Sequence, residues 1–166
     1  FRDGRVVHRV LRPGADTFVV PQRPGPLAIV LEYGRLGLEH IAGGYDHLLF
    51  LLGLFALAGG WRRLLGMVTA FTAGHGLTLS AAVVGGALPP AAPLEVLIAA
   101  TIVGLAAELA RPPAAAPTLL RRRPWLLTFG FGLLHGLGFA GALSETGMPD
   151  GEVVAALLGF NAGIEA

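Results

Sequence analysis

The chain has 166 residues and a mass of 17.1 kDa; 54% of its residues are hydrophobic, 14% are charged, and the mean hydropathy is +0.67. That is too little charge to clothe a soluble surface and too much hydrophobicity for disorder, so much of the chain is expected to face lipid. The absence of cysteine excludes disulfide scaffolds, thiolate metal centres and cysteine nucleophiles, and a net charge of +1 leaves no footprint for nucleic acid.

Residues 1–35 differ in texture from the rest. Short apolar or β-branched runs at 6–7, 10–11, 18–20 and 27–31 are separated by Arg12-Pro13-Gly14 and by the proline-rich stretch 21–26. This punctuation predicts the C-terminal part of a β-rich extracytoplasmic segment, on which His8 reads as a surface strand residue. Phe1 in place of Met, no visible signal peptide, and an apolar run still in progress at Ala166 are the marks expected of a piece of a longer chain.

Residues 36–166 predict a transmembrane helical domain. Apolar runs mark spans at about 38–60, 64–84, 94–110 and 125–143, and a fifth at 153–166 that is shorter than the roughly 20 residues a crossing needs. The expected fold is therefore an all-α, polytopic helix bundle of four complete spans and a truncated fifth, preceded by the short β-rich segment. Arg62 and Arg63 follow the first span, and Arg111 and Arg121 to Arg123 follow the third, whereas the loops 85–93 and 144–152 hold no basic residue. By the positive-inside rule the arginine loops are cytoplasmic and the N-terminal segment is extracytoplasmic, as in a multi-pass protein of the bacterial inner membrane. Thr128, Gly132, Gly136 and Ala140 form a stripe of small residues suited to close helix packing.

Ionisable side chains are costly at membrane depth, which makes each a candidate for function. His40 and His47 are seven residues apart, about 20° short of two full turns, and so share a helix face. The same seven steps separate them by about 10.5 Å on a straight helix. Either the Gly43-Gly44 pair breaks the helix and folds the two together, or they are two stations on one path. Asp46 is a further ligand or a group that orients a ligating imidazole. His75, bordered by Thr72 and Thr78, and His135, bracketed by Gly132, Gly136 and Gly138, lie on other spans. Asn161 and Glu165 share a face of the last run, where Glu165 is a candidate to complete a cation site. Glu108 is expected to pair with Arg111 near the cytoplasmic side. Imidazole with carboxylate suits nickel, cobalt, zinc or iron(II), so His40, Asp46, His47, His75, His135 and Glu165 are candidate ligands of a divalent transition metal ion.

Four motifs in order, His40-x5-Asp46-His47 followed by apolar residues 48–52, residues 68–75 ending in Gly74-His75, residues 129–140 around His135-Gly136, and Gly159-Phe160-Asn161 through Glu165, resemble the HupE/UreJ family of bacterial membrane proteins. The resemblance extends from about residue 36 to the end. It implies nickel or cobalt uptake, a connection to hydrogenase or urease maturation, and, from the N-terminal segment, the branch with an extracytoplasmic N-terminal domain. The chain departs from the family's nickel permeases at Gly138, where they carry a glutamate, and lacks the first histidine of that motif.

Three functions compete on this reading. The first is a permease, not an enzyme, with the lipid bilayer and the metal ion as partners and a homo-oligomer left open. The second is a zinc-dependent intramembrane hydrolase with an open water position, assisted by Ser80 or Thr72. The third is a non-catalytic anchor or assembly factor whose polar residues only join helices. Convergence of the ligands beside a lipid-open cavity favours hydrolysis, and polar groups spread along the membrane normal favour transport.

Overall fold

A computed structural model describes residues 24–86, 89–112, 114–145 and 151–166. Among them are seven helices and no strand: α1 (Pro26–Gly43), α2 (Tyr45–Ala58), α3 (Trp61–Gly85), α4 (Ala91–Leu109), the short α5 (Leu119–Arg122), α6 (Pro124–Glu145) and α7 (Val153–Glu165).

The β-rich expectation is overturned over residues 26–35, which form the first half of α1; its remainder through residue 23, His8 included, lies outside the described residues. A short apolar run such as 27–31 has no period that separates strand from buried helix. The deciding features are local. Pro26 occupies the first helical turn, where its fixed φ suits the helix and its missing N–H would have been unpaired anyway. Ile29, Tyr33 and Gly37 are then buried at four-residue spacing, a helical face that continues past residue 35. The boundary expected at 35–36 thus falls inside α1.

The expectation of four complete spans also changes. α3, α4 and α6 are each long and apolar enough to cross a membrane, whereas α1 and α2 meet that test only as a pair, bent by 77° at Gly44. The apolar run expected to form one continuous first span is thus two helices that meet at a sharp bend. Gly44 takes an extended conformation, its N–H closing α1 on the His40 carbonyl at 3.0 Å. α7, with 13 residues, is about 20 Å long, short of a full crossing.

Two glycine-lined pairs organise the bundle. A Cβ at Gly132 would run into the Phe71 carbonyl, and one at Gly136 into that of His75; one at Gly74 would strike Phe129. The partners advance together along the chain, so α3 and α6 are parallel, with Thr128 and Ala140 of the predicted stripe fully buried. α1 and α7 repeat the arrangement: Gly159 sits against Val30 and Gly163 against Gly34. Backbone contact of this kind is how helices associate where lipid supplies no hydrophobic drive. Two apolar clusters result. One joins Ile29, Leu79, Leu143 and Phe160, and the other joins Phe50, Leu54, Met67 and Leu105.

The arginine-bearing segments lie at one end of the bundle, where Arg63 Nη2 donates to the Arg121 carbonyl at 2.7 Å. There Glu108 is buried and accepts from Arg121 Nε at 2.6 Å, with Arg111 at 3.9 Å. The expected ion pair is present, with Arg121 as its nearer partner.

Candidate metal centre

The break at Gly44 brings His40 and His47 together. Their ring centroids are 4.5 Å apart, far closer than the roughly 10.5 Å rise of a straight helix would allow. Of the two arrangements open from sequence, the folded one is observed. A Cβ on Gly44 would stand 2.6 Å from His47 Nδ1 and 3.0 Å from Asp46 Oδ1, so glycine is needed to let these side chains close over the break.

His75 arrives from the middle of α3 and His135 from the middle of α6, each placed by the glycine contacts beside it. One ligand atom from each of His40, His47 and His75 lies within 4.8 Å of the others, and the same holds for Asp46, His47 and His135. His47 belongs to both groups. His75, His135 and His47 are 0%, 1% and 7% exposed. The cluster sits between the two apolar cores. Phe139 lies against His40, with centroids 3.8 Å apart, while Phe50 and Phe71 flank His135 at 5.7 and 5.1 Å.

Polar bookkeeping separates these histidines from ordinary core residues. His47 Nδ1 is 3.2 Å from Asp46 Oδ1; a carboxylate only accepts, so Nδ1 carries the proton and Nε2 is left for another partner. His47 Nε2 faces His135 Nδ1 at 3.5 Å. Two imidazole nitrogens bound tetrahedrally at about 2.0–2.1 Å stand about 3.4 Å apart, so this spacing suits a shared ion. His40 Nε2 and Thr72 Oγ1 are buried without a hydrogen-bond partner among the described residues, and His75 has the Asn161 side chain as its polar neighbour. Such orphans cost about 1–3 kcal/mol each, which argues against histidines that only glue helices and fits a bound ion.

Glu165 stands apart from both groups. Its Oε1 accepts from Thr69 Oγ1 at 2.5 Å, and its side chain is exposed. It adjoins two cavities. One, of about 620 Å³, is lined mainly by apolar side chains such as Leu48, Phe55 and Leu65 and reaches His47 and Thr72. The other, of about 640 Å³, runs between α3 and α7 past Thr69, Thr72, Ser80 and Asn161. Asn161 packs on Gly76, where a Cβ would be 2.7 Å from its Oδ1. Thr78 borders His75 as expected, but its hydroxyl is engaged by backbone and not by the imidazole, donating to the Leu133 carbonyl at 2.8 Å.

A family model for HupE / UreJ protein matches residues 16–166. The chain belongs to the HupE/UreJ family. Comparison with curated proteins and with solved structures finds no match. This HupE/UreJ protein therefore carries four histidines as one cluster, three of them buried and His40 half-buried, on three structural units: the α1–α2 break, α3 and α6. Sequence reasoning missed Thr101, which contacts His135 Nε2 at 3.3 Å, and Phe139, which covers His40. The available signal for Thr101 was its standing as the one polar residue between Glu95 and Glu108 of an apolar run.

Proposed function

We propose that this HupE/UreJ protein is a permease that binds a divalent transition metal ion, nickel or cobalt, at the histidine cluster and passes it across the bacterial inner membrane. The observation that carries this reading is the pair of overlapping three-ligand groups that share His47. An ion held by Asp46, His47 and His135 moves to His40, His47 and His75 by exchanging two ligands while keeping the third, so it is never released into the apolar core. Weak adjacent sites of this kind let a cation enter and still leave. Beyond His75, the polar groups Thr72, Thr69 and Glu165 continue along α3 and α7 for about 9 Å toward the arginine-bearing end. With that end cytoplasmic, α1 begins outside, the arrangement of the branch with an extracytoplasmic N-terminal segment. The cargo supplies metalloenzymes of the hydrogenase or urease kind.

A second reading, a zinc-dependent intramembrane hydrolase, is favoured by the convergence of the histidines and Asp46 beside the 620 Å³ apolar cavity that reaches His47. The two are separated in proteoliposomes loaded with a metal-sensitive dye. Transport predicts uptake of Ni²⁺ or Co²⁺ by the wild type and none by His47→Ala. Protein that binds metal tightly but passes none contradicts transport, and zinc-dependent cleavage of a lipid or peptide by that protein would establish the hydrolase.

A further inference from the structure

Thr101, in the middle of α4, is fully enclosed at 6% exposure and has two polar neighbours. Its Oγ1 is 2.6 Å from the Ile98 carbonyl oxygen and 3.3 Å from His135 Nε2. The hydroxyl has one hydrogen and two lone pairs. Two oxygens at 2.6 Å require a hydrogen between them, so the hydroxyl donates to Ile98, the back-bond a helical threonine commonly makes. What remains for His135 is a lone pair. His135 Nε2 must then be the donor, and its proton is fixed on that nitrogen.

We propose that Thr101 is a positioning residue that holds His135 in the Nε2–H tautomer, so that Nδ1 offers its lone pair to an ion shared with His47 Nε2. The opposite end of the pair is set in the same way: Asp46 Oδ1 takes the Nδ1 proton of His47 at 3.2 Å, which leaves Nε2 bare. A single line therefore runs from the Asp46 carboxylate through both imidazoles and Thr101 to the Ile98 carbonyl, with every proton assigned except at its centre. There two lone pairs face each other across 3.5 Å. Two acceptors without a hydrogen repel, and a cation between them removes the repulsion. Thr101 acts through His135, the one side chain its hydroxyl contacts among the described residues. Outer partners of this type fix ring orientation in metal sites, and their loss typically weakens metal binding 10- to 100-fold.

The tautomer claim stands independently of transport, while its effect on affinity rests on the metal-binding reading. The test combines two measurements on the purified protein. Two-bond ¹⁵N–¹H correlation of histidine-labelled, metal-free wild type is expected to show His135 protonated at Nε2 and bare at Nδ1. A proton on Nδ1 would overturn the proposal, whatever metal does. Titration with Co²⁺, read by its visible absorption, is then made in the His75→Ala background, where the group containing His135 is the intact one. Thr101→Val, which keeps shape and removes the hydroxyl, is expected to weaken Co²⁺ about 10- to 100-fold, and Thr101→Ser to restore it to within about threefold. Unchanged affinity in Thr101→Val, or no rescue by serine, counts against a positioning role. Failure of the parent to bind Co²⁺ with the expected wild-type tautomer present would instead strike the metal reading and leave the tautomer assignment standing.

Discussion

Sharing of His47 between two ligand groups predicts a specific failure of additivity. His47→Ala removes one ligand from both groups, whereas His75→Ala and His135→Ala each remove a ligand from one and leave the other whole. Four-ligand zinc sites in small domains contribute about 10–16 kcal/mol, or about 2.5–4 kcal/mol per ligand, which corresponds to a loss of about 10²–10³ in affinity. His47→Ala is expected to lose that much. Each of the other two single variants is expected to lose less than about tenfold, or 1.4 kcal/mol. The double variant His75→Ala/His135→Ala, with neither group complete, falls to the level of His47→Ala. The double variant thus loses more than the two single losses together, the non-additivity expected of groups that stand in for each other. Competition against a chromophoric chelator in detergent measures all four proteins, and circular dichroism confirms that each remains helical. If His75→Ala or His135→Ala alone cost as much as His47→Ala, the ion would have a single site, and the handover argument would be wrong.

Other consequences follow from packing and charge. Gly136→Leu and Gly163→Leu place side chains directly against the backbone of the neighbouring helix, which cannot yield as a side chain does; each is expected to cost at least about 1–3 kcal/mol and to lower the melting temperature. Gly66→Ala and Gly104→Ala, with nothing within 4 Å of the added Cβ, should melt as the wild type. Gly44→Ala crowds His47 Nδ1 and Asp46 Oδ1, so it should weaken metal binding by about 10- to 100-fold while leaving the melt little changed. Arg121→Ala strips a 2.6 Å partner from the buried Glu108 carboxylate. With Arg121 itself partly exposed and Arg111 still near, the expected effect is a modest fall in melting temperature, and Glu108→Gln in the same background should recover part of it.

The parts of the fold that were legible in sequence are those with a strong physical period. The apolar runs that became α3, α4 and α6 were plain because lipid demands long uninterrupted apolarity. The stripe from Thr128 to Ala140 was plain because small residues every fourth position have one steric use. The sidedness of Arg63 and Arg121 was likewise readable, and their hydrogen bond places both segments at one end. The start of α1 was not. Residues 21–26 carry the same prolines and glycine whether they close a hairpin or open a helix, and the apolar run after them is too short to decide. The break at Gly44 was visible only as a choice, since two adjacent glycines permit a bend without requiring one. What settles it is packing at a distance in sequence: α1 against α7 and α2 against α4.

The site divides along the same line. His40, Asp46, His47, His75 and His135 stood out because charge and imidazole are rare at that depth. Their division into two groups depends on how three helices cross, which no spacing encodes. Glu165 was equally conspicuous and yet pairs with Thr69 away from the cluster. Thr101 was inconspicuous because a lone threonine in an apolar helix usually satisfies itself on its own backbone. It does so here, and its remaining lone pair reaches His135.

The most direct test of the metal centre is X-ray absorption on the purified protein loaded with one equivalent of Zn²⁺, with metal content measured on the same sample. Near-stoichiometric zinc with at least two imidazole nitrogens at about 2.0–2.1 Å, lost in His47→Ala, is the predicted result. An oxygen-only shell, or zinc retained equally by the wild type and His47→Ala, would contradict a histidine-built site.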